Sequence, residues 1–526
     1  MEIFNAADFL VHRHVRDGSG DRVAVVSPGR SLTYRRLSDE VRRVAAGLRA
    51  LGVRPEERAM FCMADDVELL TGILGAMHLG AVPVPVSTMV TGAELGQMLA
   101  DSRARILCLS VEFAVAGCEA AAAAPDVTTV VLDGPADFAM RDGVSVMEWA
   151  DMCAAGDWSV EPYATWPDSP ALWLYTSGTT GKPKAAMHRH ASIRDVAQLY
   201  GSGVLGVTSV DRCLSVPKLF FAYGLGNSCF FPLAAGATAI LERSRPTPAL
   251  IAGRVAADKP TLFFAVPTFY AALLNSDIPD DTFSSVRQGV SAGEPLPAVV
   301  LSRFLDRFGV EILDGLGSTE ALHIFLSNRP GQVRPGASGT PVPGYEVEIR
   351  DEHGAVVGEV GTPGELYLRG PSIATGYWCR TETTRQMFLG EWLRTGDSYV
   401  RNEDGTYTCL GRYNDMLKAG GIWVSPAEVE QRLLEHPSVA EAAVVAAPDE
   451  VGLDKPVACV VPVTGSTVDS DALIHWCREG LAAFKRPRAV VAFEELPKTA
   501  TGKIRRNVLR DQVRDALKSA ELQTSV

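Results

Sequence analysis

Short apolar runs alternate with amphipathic helical patterns over much of the chain, and this alternation constrains the fold more than any other feature. Between residues 24 and 167, for example, residues 37–51 predict a helix closed by Gly52, and residues 106–110 predict a buried strand. Strands that alternate with helices are typical of a largely parallel sheet covered by helices. We therefore predict an α/β fold with helix-covered, largely parallel sheets in a large N-terminal domain.

The pattern of predicted strands, turns and helices changes twice in the second half of the chain. Around residues 346–350, 364–369 and 407–411, short strands separated by Gly, Pro and Asp turns predict a small antiparallel β-barrel or sheet. Beyond Gly411, a capping box at residues 425–428 opens the first helix of a compact module. We expect two domains, an N-terminal domain over residues 1–412 and a small, mobile α+β C-terminal domain over residues 413–526.

Charge and cysteine content exclude several classes of protein. The formal net charge of −13 opposes non-specific binding to nucleic acid or to anionic membranes. The ten cysteines include no CxxC pair, so they predict neither zinc binding nor disulfides and suit a reducing compartment. Residues 71–90 are apolar over nearly a membrane span, but Pro83 and Pro85 favour a buried helix followed by a turn and a strand. We expect a cytoplasmic protein with no membrane span and no nucleic-acid partner.

Residues 175–184 read YTSGTTGKPK and follow an apolar, strand-like run. Glycines and hydroxyls in such a loop leave backbone N–H groups free to surround an anion, and Lys182 and Lys184 add positive charge. The spacing differs from that of a Walker A loop, which has four residues between its glycines and a Lys-Ser/Thr pair after them. Taken alone, the stretch fits a polyphosphate site and a polar surface turn equally well.

Four further stretches carry weaker chemical signals. SAGEP at residues 291–295 exposes backbone to a flat base, and DGLGSTE at 314–320 places a hydroxyl beside a carboxylate, as a phosphate with bound magnesium requires. The stretch at 392–397 ends in a carboxylate able to accept both hydroxyls of a ribose, with Arg412 as a matching donor. PKTATGK at 497–503 presents one lysine after a glycine. Each stretch alone is more often a turn or a solvated charge.

Together and in this order, these stretches resemble the acyl-adenylate-forming superfamily, which includes acyl-CoA synthetases, carrier-loading adenylation domains and luciferases. The resemblance extends from about residue 34 to residue 506 and includes the segment GRYNDMLKAGG, which ends at Gly421. It implies that an acid is joined to AMP at the expense of ATP, with magnesium, and is then passed to a thiol such as that of coenzyme A.

The resemblance also implies which residues act on the phosphates. Thr319 would contact the α-phosphate and Glu320 would hold magnesium. Lys503 would bridge the substrate carboxylate and the α-phosphate in the adenylation transition state. The residues that would surround the β- and γ-phosphates are Thr176, Ser177, Gly178, Thr179, Thr180 and Lys184.

By the same resemblance, other residues would bind the nucleoside or serve the second step. Asp397 and Arg412 would bind the ribose, and Gly293 and Glu294 would line the adenine. The C-terminal domain would rotate about a hinge to form a channel for the thiol. The hinge and channel residues would be Asn414, Lys418, Gly420 and Gly421.

The acid is indicated by two apolar stretches. KLFFAYGLGN at residues 218–227 and GSTEALHIF at 317–325 resemble the benzoate-CoA ligase branch, although plain core packing also explains such residues. By that resemblance a flat slot would accept an aromatic acid, with its ring substituents left open. The residues lining the slot would be Ala222, Tyr223, Gly224, His323 and Ile324.

Two other functions remain open at this stage. A stand-alone enzyme that loads an aryl group onto a carrier protein would use the same thiol channel, so the sequence does not separate it from a CoA ligase. A non-enzymatic binding or sensor protein is disfavoured by Glu320, Asp397 and Lys503, because a protein that only binds has no need of all three.

Overall fold

A computed structural model gives the fold as a mixture of helices and strands, in agreement with the predicted α/β class. It describes residues 2–136, 140, 142–177, 183–413, 417–419, 422–448, 454–463, 465–482, 485–498 and 504–524.

Nine strands of the described chain form the largest sheet. Its six central strands are parallel, and antiparallel strands are added at both edges. The residues of the central strands are mostly apolar and buried, as expected for a sheet covered on both faces. In spatial order the strands are Thr340–Pro341, Ile324–Ser327, Ile312–Gly317, Gln288–Ser291, Leu262–Ala265, Arg212–Ser215, Thr238–Ile240, Val23–Ser27 and Arg30–Thr33.

A second sheet has five strands, all parallel to one another. Within the apolar stretch at residues 71–90, residues 71–78 lie in the helix Val67–His78 and residues 82–85 form the strand Val82–Pro85 of this sheet, as predicted. Among the described helices, none is long and apolar enough to cross a membrane. The strands in spatial order are Val82–Pro85, Arg58–Cys62, Ile106–Leu109, Thr129–Leu132 and Ser145–Glu148.

The predicted small antiparallel element is a five-stranded antiparallel sheet. Trp392–Arg401 is its longest strand and pairs with three others. The remaining strands are Glu346–Arg350, Gly364–Arg369, Phe388–Leu389 and Tyr407–Arg412. A separate two-stranded hairpin is formed by Pro170–Ser177 and Pro183–Arg189.

The C-terminal part has its own sheet and its own apolar clusters. Val439–Pro448, Asp454–Pro462 and Ala489–Ala492 form the sheet, and Leu417–Ala419 pairs with Ile422–Val424 in a hairpin. Only the serine half of the predicted capping box is as expected: Ser425 Oγ accepts a hydrogen bond from the Glu428 backbone at 3.3 Å. The Glu428 carboxylate instead accepts hydrogen bonds from Lys485 Nζ at 2.6 and 2.7 Å.

Local sequence explains where the helices begin and end. Thr33 Oγ1 accepts a hydrogen bond from the backbone of Arg36, and Gly52, at φ +85°, follows the same helix, which spans Tyr34–Ala50. The other helical segments are Asp8–His12, Arg13–Arg16, Val67–His78, Gly92–Ser102, Val111–Phe113, Ala114–Ala123, Trp149–Ala154, His190–Val196, Ala197–Ser202, Ala222–Leu225, Gly226–Phe230, Phe231–Ala235, Pro248–Asp258, Pro267–Leu274, Ala298–Phe308, Thr381–Met387, Pro426–Leu434, Ser470–Gly480 and Arg506–Thr524.

A chain of buried hydrogen bonds joins two histidines near the N-terminus. His78 Nε2 lies 3.0 Å from the Val160 carbonyl, which requires a proton on that nitrogen. His78 Nδ1 therefore accepts from His12 Nε2 at 2.8 Å, and His12 Nδ1 accepts from Ser38 Oγ at 2.7 Å. Burial lowers the pKa of His12 to about 3 and that of His78 to about 4, so both rings are neutral at physiological pH.

These two histidines should make the fold acid-sensitive. Because their pKa values in the folded protein lie below the ordinary 6.5, the unfolded chain binds more protons between about pH 4 and 6.5, and acidification through that range lowers stability. Removal of one such group should reduce the slope of the unfolding free energy against pH by up to about 1.4 kcal/mol per pH unit. We therefore expect the melting temperature of the His12→Gln variant to fall less steeply than that of the wild type on acidification.

The matched control for this measurement is His353→Gln, because the His353 side chain is 84% exposed. This control should keep the wild-type slope. Identical slopes for His12→Gln and the wild type would show that His12 does not contribute to the acid sensitivity.

Candidate active site

Two of the predicted segments meet at the carboxyl edge of the largest sheet. The strands Gln288–Ser291 and Ile312–Gly317 are parallel neighbours, so the residues that follow each of them emerge side by side. Gly293 follows the first strand at φ +97°, a backbone conformation that favours glycine, and Thr319 and Glu320 follow the second. The segments predicted for adenine and for the α-phosphate are therefore adjacent.

Two buried polar atoms at this edge have no hydrogen-bond partner among the described residues. They are Ser291 Oγ, on the last residue of the strand Gln288–Ser291, and Asp314 Oδ1, within the neighbouring strand Ile312–Gly317. Burial raises the pKa of Asp314 well above its usual range. Such atoms are costly to leave unpaired, so each is expected to have a partner such as water or a ligand. The sequence contains both residues in the quoted stretches, but a pattern of letters does not show that they are unpaired.

The predicted phosphate loop lies at the end of a β-hairpin. Thr176 and Lys184 are paired across its two strands, and residues 178–182 between them lie outside the described part of the chain. Tyr175, next to Thr176, donates a hydrogen bond from its hydroxyl to Asp101 Oδ2 at 2.8 Å. Asp101 also accepts a hydrogen bond from Arg380 at 2.7 Å. The base of the loop is thus fixed to a helix and to a later segment of the chain.

Tyr377, which no sequence motif marks, contacts both Glu320 and Lys184. The hydroxyl of Tyr377 donates a hydrogen bond to Glu320 Oε1 at 2.6 Å. Lys184 Nζ lies 4.4 Å from the centre of the Tyr377 ring, within the range of a cation–π interaction. A single tyrosine in the loop before a helix forms no recognisable motif, so no signal in one sequence identifies it.

A buried histidine fixes the backbone beside Glu320. His188 Nε2 donates a hydrogen bond to the Thr319 carbonyl at 2.8 Å. Burial lowers the pKa of His188 to about 4, so the ring is neutral and the donor is the proton on Nε2. The Thr319 backbone is therefore held from the hairpin that carries the phosphate loop.

The predicted ribose pair is brought together by strand pairing. Asp397 and Arg412 stand opposite each other in an antiparallel pair, with Arg412 Nη1 3.2 Å from Asp397 Oδ1. Gly396, at φ +75°, precedes the aspartate, and the Asp397 side chain is 15% exposed. A partly exposed carboxylate beside a guanidinium is suited to accept hydrogen bonds from a diol.

The residues predicted for the acid pocket also meet. His323 and Ile324 are buried, and the His323 ring lies 5.5 Å from that of Tyr223, measured between centroids. The Tyr223 hydroxyl donates to the Val290 carbonyl at 2.9 Å, which anchors the ring to the central sheet. Ala222 and Gly224 are in the same short helix as Tyr223. Phe231 and Tyr200 add further rings, centred 4.5 and 5.4 Å from that of His323.

The tautomer of His323 follows from its partners. Its Nε2 lies 3.3 Å from the Tyr223 carbonyl and 3.2 Å from Asn227 Oδ1, and both partners are acceptors. The amide of Asn227 is oriented by Ser215, which accepts from Nδ2 at 3.2 Å. Nε2 therefore carries the proton, and burial lowers the pKa of His323 to about 3. Asn227, which the sequence analysis did not assign, thus orients a neutral histidine.

The His323 ring packs against a glycine backbone. A Cβ atom placed on Gly226 would lie 2.2 Å from His323 Cδ2, so no side chain fits there without displacing the ring. Gly224 is equally constrained, since a Cβ atom would lie 1.9 Å from the Lys218 carbonyl. These glycines let the helix approach the pocket closely.

Several predicted residues fall where little or nothing is described. Of Ser177 and Lys418 only the backbone is described, in the strands Pro170–Ser177 and Leu417–Ala419. Within the described ranges, no group of three or more His, Cys, Asp or Glu residues is placed to hold a metal ion. The predicted residues outside the described part of the chain are Gly178, Thr179, Thr180, Asn414, Gly420, Gly421 and Lys503.

Comparison with known proteins identifies the class. Residues 11–378 match the AMP-binding enzyme family, and residues 428–503 match the AMP-binding enzyme C-terminal domain. The chain therefore belongs to the AMP-binding enzyme family. This assignment confirms the resemblance found in the sequence.

Among its relatives, the chain is 43% identical to a benzoate-CoA ligase of Thauera aromatica over 97% of this chain and 96% of that protein. A crystal structure of a benzoate CoA ligase from Burkholderia xenovorans LB400 aligns with a TM-score of 0.88 and 41% identity, over 97% of this chain and all of that one. The anthranilate CoA ligase AuaEII in complex with anthranoyl-AMP aligns with a TM-score of 0.90 and 37% identity, over 100% and 99% of the two chains.

Proposed function

We propose that this protein is an AMP-forming acid-thiol ligase that activates a benzoate-type aromatic acid with ATP and transfers the acyl group to coenzyme A. The observation that carries this proposal is the segment from Ser318 to Ile324. Its first half carries Glu320, which shares the neighbour Tyr377 with Lys184 of the phosphate hairpin, and its second half places His323 against the ring of Tyr223. One short turn thus joins a phosphate-facing carboxylate to an aromatic pocket.

The nucleotide would lie across the carboxyl edge of the largest sheet. Adenine would lie near Gly293 and Glu294, and the ribose would bind Asp397 and Arg412. The β- and γ-phosphates would lie in the loop bounded by Thr176 and Lys184. Two observations support this path: strand pairing sets the adenine segment beside the α-phosphate segment, and Tyr377 contacts both Glu320 and Lys184 of the hairpin.

The residues present suit magnesium bound together with ATP. Magnesium usually binds through one or two carboxylates plus substrate phosphates and water, and Glu320 offers such a carboxylate next to the phosphate hairpin. When bound, the ion would offset the negative charge of the phosphates. Glu320 would hold it and Thr319 would contact the α-phosphate.

The first step is the attack of a substrate carboxylate oxygen on the α-phosphorus of ATP. The new oxygen–phosphorus bond gives acyl-AMP, and the bond to pyrophosphate breaks. No base is needed because the carboxylate is already ionised. Lys503 would lie between the carboxylate and the α-phosphate, where its charge reduces the repulsion between two anions.

The second step is the attack of a thiol on the acyl carbon, which forms the thioester and releases AMP. We propose that residues 413–526 form a separate domain that rotates about Asn414 between the two steps. Lys503 would leave the site, and Lys418, Gly420 and Gly421 would then form the wall of a channel for the thiol. Glycines suit such a wall because side chains would narrow it.

The chemistry of the pocket suits an uncharged aromatic ring as the part of the acid that it binds. His323 is neutral, its Nε2 proton is already paired, its Nδ1 has no partner among the described residues, and the surrounding groups are mostly aromatic or aliphatic. An apolar pocket discriminates ring size by roughly 1–3 kcal/mol per methylene-sized misfit. Loading of a carrier protein remains the alternative second step, but the relatives described above are CoA ligases.

The proposal is tested by incubating the purified protein with ATP, magnesium and a panel of benzoates, aminobenzoates, hydroxybenzoates, furoate and cinnamate. We expect acid-dependent pyrophosphate release for one or more benzoates and, with coenzyme A, the matching aryl-CoA by mass spectrometry. Thioester formed only on a phosphopantetheinylated carrier protein would reject the coenzyme A step. No pyrophosphate release with any aromatic acid would reject the proposed function.

A further inference from the structure

Tyr377 lies between the two groups that would face the phosphates of ATP. Its hydroxyl donates to Glu320 Oε1 at 2.6 Å, and its ring lies beneath Lys184 Nζ at 4.4 Å from the ring centre. The hydroxyl is the donor in this contact, because a carboxylate oxygen only accepts. One side chain therefore contacts both a candidate metal ligand and a lysine of the phosphate loop.

Backbone hydrogen bonds join the segment around Tyr377 to the phosphate hairpin and to the turn that carries Glu320. Trp378 N donates to the Ala185 carbonyl at 2.9 Å, and Met187 N donates to the Gly376 carbonyl at 3.0 Å, which joins the segment to the phosphate hairpin. Ala374 N donates to the Glu320 carbonyl at 2.8 Å. The segment thus crosses from the hairpin to the turn that carries Glu320.

The Tyr377 ring is held in one orientation. It is 3% exposed, and Phe388 packs against it edge to face at 5.5 Å between centroids and 78° between ring planes. The Tyr377 backbone N–H donates to Thr384 Oγ1 at 3.0 Å. A side chain fixed by packing on one side and hydrogen-bonded on the other loses little further entropy when it orients its partner.

We propose that Tyr377 is a positioning residue that orients the Glu320 carboxylate for magnesium bound to ATP and sets its distance from Lys184. This inference rests on the proposed function of the same site. The hydrogen bond engages Oε1 of Glu320 and would direct Oε2 toward the metal. Hydrogen-bond partners of metal ligands fix ligand orientation, and their loss typically costs about 10–100-fold in metal affinity or activity.

The test is the affinity for an ATP analogue with a methylene group between the α- and β-phosphates, measured by calorimetry with and without magnesium. Tyr377→Phe removes only the hydroxyl and keeps the ring beneath Lys184. We expect it to weaken binding about 10-fold or more with magnesium, and hardly at all in its absence. Magnesium titration of pyrophosphate release should shift to higher concentration by a similar factor.

Tyr34→Phe is the matched control, because it also removes a buried hydroxyl, one that donates to the Ala237 carbonyl at 2.7 Å, far along the chain from Glu320. It should bind the analogue like the wild type in both conditions. Tyr377→Leu removes hydroxyl and ring together, so its additional loss relative to Tyr377→Phe measures the contribution of the ring beneath Lys184.

An equal loss of affinity with and without magnesium, or no loss, would overturn the inference. Should Tyr377→Phe fail to fold, Phe388→Leu, which loosens the ring but keeps the hydroxyl, must weaken the magnesium-dependent binding or the inference is wrong. The binding assay contains no acid, so it tests Tyr377 separately from the choice of aromatic substrate.

Discussion

Replacement of Lys503 by alanine should lower acid-dependent pyrophosphate release by about 100- to 1,000-fold, the usual loss when one preorganised donor to a developing negative charge is removed. The physical reason is that the substrate carboxylate and the α-phosphate are both anions. Thioester formation from supplied acyl-AMP and coenzyme A should be nearly unchanged, because the lysine would leave the site before that step. Both half-reactions are measured separately, by pyrophosphate release and by acyl-CoA formation.

The control for this experiment lies in the same stretch. Lys498 is five positions earlier and donates to Glu441 Oε1 at 2.8 Å, so Lys498→Ala removes a lysine that has a partner of its own. It should leave both half-reactions close to the wild type. Equal losses of both half-reactions in Lys503→Ala would contradict domain rotation between the steps.

A second large effect is expected from one methyl group in the aryl pocket. In Gly226→Ala the new Cβ atom would overlap the His323 ring, at 2.2 Å from Cδ2, so the ring must move into the pocket or out of its hydrogen bonds. A displacement of about 1 Å near reacting groups can cost roughly 100-fold in rate. We expect kcat/KM for the aromatic acid to fall by about that factor, with the KM for ATP little changed.

Two comparisons make this prediction specific. Gly253→Ala adds the same methyl group to the helix Pro248–Asp258, where no atom lies within 4 Å of it, and should leave the kinetics unchanged. In a His323→Ala background the contacts at 2.2 and 2.5 Å are absent and only Phe231 Cζ, at 3.0 Å, remains close, so adding Gly226→Ala should cost much less than in the wild type, which is a non-additive result. Full additivity of the two substitutions would show that Gly226 acts independently of the His323 ring.

The alternation of strands and helices was sufficient to predict the architecture, because apolar patterning with periods of two and 3.6 reflects burial directly. The stretch DGLGSTE at residues 314–320 illustrates the limit of this approach, since the strand Ile312–Gly317 continues into it. The glycines there suggest a turn, yet Gly315 and Gly317 are paired with the strand Ile324–Ser327. Strand pairing between distant segments overrides the local preference of a residue.

The site could be predicted only as far as its motifs extend. Asp397 and Arg412 each lie in a recognisable stretch and are paired in the structure, while their binding of ribose stays a prediction. Tyr377, His188 and Asn227 act through hydrogen bonds to residues that are distant in sequence, so no short pattern contains both partners. The roles assigned to individual site residues stay predictions until the variants are measured.

The most direct test of the central claim follows the oxygen atoms of the acid. Benzoate, or the best acid of the panel, is labelled with heavy oxygen in both carboxylate positions and turned over with ATP and coenzyme A. Attack by the carboxylate on the α-phosphorus predicts that the released AMP carries one heavy oxygen and that pyrophosphate carries none. AMP without the label, or ADP in place of AMP, would contradict an acyl-adenylate intermediate.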